Sequence, residues 1–318
     1  MANGILEFEK PLLELENKIN ELRTFSEEKK IDLTEEIEVL EQKAEEMREN
    51  IYGNLSAWGK LQIARHPQRP SALEYIKEMC ADFVELHGDR LYGDDKSILG
   101  GIGMLNDEPV TIIGYLKGKD TKENIMRNFG MPHPEGYRKA LRLMKEAEKF
   151  QRPVISLIDT PGAYPGIAAE ERGQGEAIAR NIMEMALLRT PVISVVIGEG
   201  GSGGALAVGV GNKIAMLEHA VYSVSSPEAC AAILWKDAAK AKEAAGVLKI
   251  TAKDLLELEV VDAIVPEPLG GAHKNHAEAA QNLKKFLVDS LQELKKTSIN
   301  GLVDQRYERL RKIGKFRA

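Results

Sequence analysis

The residues with the clearest chemical potential are small ones that follow an apolar run at positions 192–197. Five glycines fall among the seven residues 198–204, and further small residues come directly after them. Glycine lets the backbone approach a ligand closely, and the free N–H groups at the start of a helix favour negative charge. The pattern predicts a site for an anion or for an oxyanion that develops during a reaction. Close helix packing through small residues is the structural alternative.

A dinucleotide site is one interpretation of this turn. Gly198, Gly200 and Gly203 match the GxGxxG pattern, and Glu218 follows about 20 residues after Gly198. The helix between them would be short and would contain Gly209, whereas a dinucleotide-binding unit needs a full crossover helix. The spacing therefore disfavours this interpretation.

A serine nucleophile is a second interpretation, because Gly200, Ser202 and Gly204 match GxSxG at a strand-to-helix turn. Residues that would complete a triad follow in the order found in hydrolases, namely Asp237 or Asp262 and then His273. Against this, His273 precedes a polar helix and stands close to His276, so we expect it to be exposed.

The third interpretation is an oxyanion site built from the backbone N–H groups of Gly203, Gly204 and Ala205. Such a site needs no side chain, which explains a turn made of small residues. A second turn, DTPGAYPG at positions 159–166, follows another apolar run at 154–158. If the two strands are neighbours, both turns lie around one pocket. Asp159 is expected to cap its own turn, with a metal or base role as the alternative.

The elements that position these turns alternate along the chain. Strands are predicted at 98–105 and 110–117 as a hairpin, then at 154–158, 192–197, 214–217 and 263–265, with a hairpin-like stretch at 221–224. Helices are predicted at 136–150, 170–189 and from Pro227, and two more at 277–296 and 302–312. Short apolar strands between helices indicate an α/β fold with a largely parallel, covered sheet. The early hairpin and the short helix after Gly203 favour repeated strand–strand–helix units.

Residues 1–56 differ from the rest and form a separate predicted unit, followed by one domain at 57–318. They are rich in Glu and Lys, and their apolar residues recur at helical spacing, which predicts two antiparallel helices joined near residues 30–33. Their apolar seam is narrow, so we expect the pair to pack on something else. It either closes its own domain or contacts another subunit.

The composition of the chain indicates which kinds of partner, location and metal site to expect. Of 318 residues, 43% are hydrophobic and 29% charged, and the net charge of −6 gives no indication of a nucleic-acid partner. No run approaches the roughly 20 apolar residues of a membrane span, and no secretory signal is recognised, so a cytoplasmic location is expected. The two cysteines belong to no zinc-binding spacing, and no metal is expected in this chain.

Three stretches make the sequence recognisable: IDTPGAYPGIAAEERGQGEAIARN, GEGGSGGALAVGVGNK and YSVSSPEACAAILWK. They resemble the alpha subunits of the bacterial multisubunit acetyl-CoA carboxylase carboxyltransferase, and the resemblance runs almost end to end. It implies a crotonase-like (ClpP/crotonase) spiral of strand–strand–helix units. It also implies carboxyl transfer from carboxybiotin, held on a separate biotin carboxyl carrier protein, to acetyl-CoA, which gives malonyl-CoA for fatty acid biosynthesis.

The resemblance further implies partners and site residues. A beta subunit with its own zinc would complete an α2β2 assembly, and biotin carboxylase would join the larger complex. Gly203, Gly204 and Ala205 would stabilise the ureido oxygen of biotin. The carboxybiotin pocket would be lined by Gly162, Ala163, Gly200 and Gly201. Basic residues before the NFGM loop either contact the carrier protein or the CoA phosphates or form a solvated face: Lys117, Lys119, Lys122 and Arg127.

Overall fold

A computed structural model describes residues 5–314, which begin with the expected helical hairpin. Helices α1 (Lys10–Lys29) and α2 (Thr34–Gly53) run antiparallel, and Leu12, Ile19 and Ala44 are buried in the seam between them. At the base of the hairpin, Tyr52 packs with Leu6 and Ile63, which ties the pair to the rest of the chain. The seam therefore packs mainly on itself and is anchored at one end.

One eight-stranded mixed sheet forms the centre of the molecule. Its strands are β1 (Ala81–Glu85), β2 (Ile98–Leu105), β3 (Glu108–Tyr115), β4 (Val154–Thr160), β5 (Val192–Gly201), β6 (Lys213–Leu217), β7 (Val221–Ser223) and β8 (Ala263–Val265). The spatial order is β1-β2-β3-β4-β5-β6-β8, and β7 pairs with β5 outside this path. The first three strands are antiparallel and the pairings from β3 onwards are parallel. The predicted hairpin and largely parallel sheet are confirmed.

Helices cover the sheet and fill its connections. They are α3 (Ala57–Ala64), α4 (Ala72–Met79), α5 (Thr121–Met126), α6 (Pro134–Lys149), α7 (Ile167–Glu171), α8 (Gln174–Leu187), α9 (Ser202–Leu206), α10 (Pro227–Trp235), α11 (Ala241–Val247), α12 (Ala252–Glu257), α13 (His276–Leu294) and α14 (Ile299–Arg311). The single helix predicted at 170–189 is two helices, because Gly173 adopts a φ of 81° between α7 and α8. Within residues 5–314, no helix combines the length and apolarity that a membrane span requires.

Strand β5 pairs with different neighbours along its length. Residues 193–196 pair with β6, whereas residues 199–201, which include two glycines of the turn, pair with β7. The hairpin-like interpretation of 221–224 was wrong, because β7 runs parallel to the end of β5. This branch point places β7 beside the glycine turn.

The two C-terminal helices dock on the domain. Leu283 and Leu287 of α13 are fully buried in the main core. Arg306 of α14 is also fully buried, and its guanidinium donates to the carbonyls of Met185 at 2.6 Å and Leu188 at 3.0 Å. These carbonyls lie at the end of α8, so α14 satisfies backbone groups that this helix end leaves without partners.

Candidate functional site

The two predicted turns meet at one edge of the sheet. Thr160 at the end of β4 pairs with Gly200 of β5, so the chain leaves both strands side by side. A Cβ added to Gly201 would lie 2.1 Å from the carbonyl oxygen of Pro161, and one added to Gly204 would lie 2.5 Å from the carbonyl carbon of Gly162. The turns are therefore in direct backbone contact, which only glycine permits at these positions.

Helix α9 begins at the end of this turn and presents its first N–H groups there. Gly203 and Gly204 are its second and third residues, positions whose N–H groups have no acceptor within a helix. Ala205 is fully buried and is the fourth residue, so regular α-helical bonding directs its N–H to the carbonyl of Gly201. Of the three predicted donors, Gly203 and Gly204 are the ones that helical geometry leaves available.

The carbonyl group of Gly204 is also fixed by a side chain from strand β3. The hydroxyl of Tyr115, a fully buried residue at the end of β3, donates to the Gly204 carbonyl. Burial raises the pKa of Tyr115 well above its ordinary value, so the hydroxyl remains a donor at any physiological pH. Tyr115 thereby fixes the orientation of the first turn of α9.

A cavity of about 390 Å³ opens beside the turn. Its lining is mainly apolar and consists of Ser202, Gly203, Leu206, Tyr222, Ser223, Val224, Leu248, Lys249, Leu255, Leu258 and Val260. Gly200 and Gly201 pair with Tyr222 and Ser223 of β7 next to this lining. Gly162 and Ala163 lie against Gly204. The predicted pocket residues are thus brought together around the start of α9.

The serine interpretation is not supported by the surroundings of Ser202. Ser202 is exposed and adopts a φ of 51°, a strained turn of the kind that presents a nucleophile. Among the described residues that line its cavity, however, there is no histidine and no carboxylate. His273 lies elsewhere, stacked on His66 with 4.0 Å between ring centroids. The expectation that His273 is exposed was wrong, because this stack buries it.

The dinucleotide interpretation also fails on geometry, since α9 has five residues and cannot serve as a crossover helix. Across the described part of the chain, no group of three or more His, Cys, Asp or Glu side chains is arranged to hold a metal ion.

A cluster of charged residues at the turns was missed by sequence reasoning. Lys117 Nζ lies 2.6 Å from Asp159 Oδ1 and 3.4 Å from Glu199 Oε2. The expected cap of the turn by Asp159 is not what the hydrogen bonds show: its Oδ1 accepts the N–H of Glu199 on the next strand at 2.9 Å, and Thr160 Oγ1 accepts the Gly162 N–H within the turn. Burial opposes the charge of Lys117, but the two carboxylates outweigh it and raise the pKa of the ammonium group. Lys117 is therefore paired and mostly buried, and is not part of a solvated face.

Several solved structures share this fold. The transcarboxylase 12S structure aligns with a TM-score of 0.58 and 16% identity, over 72% of this chain and 42% of that one. The MdcD-MdcE hetero-dimer of Pseudomonas malonate decarboxylase aligns with a TM-score of 0.58 and 18% identity, over 75% and 95%. The chain spans less than half of the transcarboxylase chain that it matches. The fold is the crotonase-like α/β fold that the resemblance implied.

Comparison by sequence is far closer. Residues 5–314 match the family described as acetyl co-enzyme A carboxylase carboxyltransferase-like. The acetyl-coenzyme A carboxylase carboxyl transferase subunit alpha of Halalkalibacterium halodurans is 61% identical over 311 residues, which cover 98% of this chain and 96% of the relative. That of Carboxydothermus hydrogenoformans is 58% identical over 314 residues, which cover 99% and 97%. The chain therefore belongs to the family of acetyl-coenzyme A carboxylase carboxyl transferase alpha subunits.

Proposed function

We propose that this chain, together with a beta subunit, transfers the carboxyl group of carboxybiotin to acetyl-CoA and forms malonyl-CoA. The biotin is carried on a separate carrier protein and is a substrate of the complex. The observation that carries this proposal is the position of the Gly203 and Gly204 N–H groups at the start of α9, beside a largely apolar cavity.

The cavity suits the ring system of biotin in size and chemistry. Its 390 Å³ falls within the range of about 300–1,000 Å³ that is typical of small-molecule sites, which combine apolar walls with a few placed polar groups. Leu206, Leu255 and Leu258 form apolar parts of its wall, and Gly203 of α9 is part of the lining. A ureido oxygen directed at α9 would meet donors where its negative charge develops.

The residues act in this scheme through their backbone. As the N–C bond of carboxybiotin breaks and CO2 leaves, negative charge moves onto the ureido oxygen, where Gly203 and Gly204 donate to it. Loss of one such donor typically raises a reaction barrier by about 2.7–4 kcal/mol. The basic ureido group then removes a proton from the methyl group of acetyl-CoA, and the resulting carbanion attacks CO2. No protein base is needed in this sequence of steps.

We also propose the assembly in which this occurs. An alpha subunit implies a beta subunit, and we infer an α2β2 complex in which the beta subunit carries a zinc ion and most of the acetyl-CoA site. The biotin carboxyl carrier protein would visit this complex, biotin carboxylase would belong to the larger assembly, and all of them would be cytoplasmic. Light scattering of the mixed subunits tests the stoichiometry.

The decisive experiment measures malonyl-CoA formation from carboxybiotin and acetyl-CoA. The chain is assayed alone and then mixed with its beta subunit, and we expect activity only in the mixture. Activity of the chain alone would contradict a divided active site. No activity in either sample would contradict the proposed reaction. A Ser202→Ala variant of the active mixture should retain turnover, whereas near-complete loss would restore the nucleophile interpretation.

A further inference from the structure

The two glycine turns are joined by three charged side chains that the proposed reaction does not use. We call Lys117, Asp159 and Glu199 the Lys117 cluster. Lys117 follows the end of β3, and its Nζ lies 2.6 Å from Asp159 Oδ1 and 3.4 Å from Glu199 Oε2. One ammonium group thus bridges carboxylates from two neighbouring strands.

Each carboxylate belongs to one of the turns. Asp159 is the first residue of the turn at 159–166, and Glu199 lies among the glycines at 198–204. The Glu199 N–H also donates to Asp159 Oδ1, and a Cβ on Gly198 would lie 2.4 Å from that same oxygen. Because Gly198 has no side chain, the carboxylate of Asp159 on β4 has room to accept the Glu199 N–H of β5, which links the two strands.

The charge of Lys117 is needed to hold this arrangement. The side chains of Asp159 and Glu199 are only 12% and 11% exposed, so water screens their mutual repulsion poorly. Arg65 Nε lies 2.8 Å from Glu199 Oε1 and is itself paired with Glu228 at 2.6 Å. Asp159 has no such second cation among these pairs, and Lys117 is its direct counter-charge.

We propose that Lys117 is a positioning residue for the carboxyl transfer. It holds the ends of β4 and β5 together. It thereby fixes the contact between the backbone at 161–163 and the start of α9, where the Gly203 and Gly204 N–H groups lie. It acts through the two turns and does not contact either substrate. This inference rests on the proposed function, because the positioned groups are its oxyanion donors.

The test substitutes Lys117→Met in the complete complex with the beta subunit. We expect kcat to fall by about ten- to a hundredfold, because small displacements of positioned groups are costly, while the KM values for acetyl-CoA and carboxybiotin change less than about twofold. Hydrogen exchange should become faster in peptides covering 159–163 and 199–206 but not in β2 or α13. A higher KM with unchanged kcat would instead show that Lys117 binds a substrate and would overturn the proposal.

Two further variants separate positioning from general loss of stability. In Lys117→Met/Asp159→Asn the unpaired carboxylate is removed while the Asn oxygen still accepts the Glu199 N–H, so part of the lost kcat should return. Lys145→Met is the matched control, since Lys145 of α6 likewise pairs with two carboxylates, at 2.7 Å from Glu184 of α8 and 3.4 Å from Glu148 of its own helix, and neither belongs to the glycine turns. Its activity should match wild type. A wild-type complex without activity would refute the proposed function itself, whereas an active wild type with an equally active Lys117→Met variant would refute only the positioning role.

Discussion

At Gly204, the space that a side chain would occupy is filled by the backbone of another turn. Its ideal Cβ position lies 2.5 Å from the Gly162 carbonyl carbon and 2.7 Å from the Ala163 nitrogen. Glycine is therefore required here for steric reasons as well as for any role of its N–H. The close contact means that even the smallest substitution must separate the two turns.

A Gly204→Ala variant should accordingly lose about a hundredfold or more in carboxyl transfer while still assembling with the beta subunit. The added methyl group displaces the start of α9 from the turn at 161–163. Initial rates of malonyl-CoA formation, together with size-exclusion chromatography of the complex, measure both effects. Gly175→Ala is the control, because no heavy atom lies within 4 Å of its Cβ position. Equal activity of the two variants would contradict this account.

His273 is a residue whose burial makes folding sensitive to acid. Burial, and then the positive charge of neighbours such as His66 and Lys274, lower its pKa from 6.5 to about 3. Below pH 6.5 the unfolded chain takes up a proton at this position that the folded chain resists, so stability is lost as the pH falls. The loss continues until the pH reaches about 3.

We expect His273→Phe to reduce this pH dependence. As the pH decreases, the free energy of unfolding of the wild type should fall, and one proton contributes up to about 1.4 kcal/mol per pH unit to this slope. The variant should lack that contribution. Urea unfolding at several pH values between about 4 and 6 measures both slopes. Identical slopes would show that the proton is taken up elsewhere, for instance at His219, whose pKa burial also lowers.

Residue types predicted the glycine turns but not the charged cluster beside them. The small residues at 198–205 indicate backbone chemistry because local spacing alone suggests a turn and a helix start. Lys117 is 42 residues from Asp159 and 82 from Glu199, so no local pattern links them. The available signal was an acidic residue at the start of each turn, Asp159 and Glu199.

Among the elements, β2 to β6 follow the predicted strands closely because they are apolar and bounded by turns. Strand β1 was missed, since it lies at the sheet edge with a mostly exposed pattern and contains Asp82 at a φ of 50°. β7 was predicted as an element, but its parallel partner β5 lies outside any local pattern. Local sequence thus indicates strands, whereas the choice of partner depends on the whole sheet.

The N-terminal hairpin exposes apolar residues along its outer surface. Phe25 is 46%, Ile31 47% and Val39 65% exposed, although the seam between α1 and α2 is filled. Large apolar side chains that are exposed together on one element are typical of a contact with another chain. We therefore expect the hairpin to be a subunit-contact element, one of the two roles that its sequence allows.

Replacing residues 23–41 with a short turn tests this role and keeps the anchored base. Leu12, Ile19 and Ala44 remain to close the shortened seam. We expect the free energy of unfolding of the isolated chain to change little, while the complex with the beta subunit dissociates at higher concentration in analytical ultracentrifugation. If the shortened chain assembles with the beta subunit as well as the wild type does, the hairpin is not a subunit contact and instead closes its own domain.

On the scale of the whole molecule, α14 connects distant parts of the fold through Arg306. Its guanidinium donates to Met185 and Leu188 at the end of α8, to Thr190 before β5, and to Asn212 Oδ1 before β6. Burial lowers its pKa to about 10, which still leaves it charged at neutral pH. Both predicted C-terminal helices therefore dock on the domain.

Arg306→Met should lower the free energy of unfolding by about 3 kcal/mol or more, because several buried acceptors lose their donor together. Chemical denaturation of the isolated chain measures this loss. Tyr307→Phe on the same helix is the control, since Tyr307 is 58% exposed and should be nearly neutral. An Arg306 variant as stable as the control would show that water replaces the guanidinium.

The dependence on Arg306 has a consequence for synthesis on the ribosome. The carbonyls at the end of α8 are translated more than a hundred residues before the guanidinium that satisfies them, as the 118-residue separation of Leu188 and Arg306 shows. Once β8 (Ala263–Val265) has been synthesised the sheet can be complete, but the nascent domain still lacks the helix that closes it, and it exposes unpaired backbone and apolar surface. A polypeptide released between residues 266 and 305 would therefore contain every strand of the sheet and still be a substrate for chaperones and proteases.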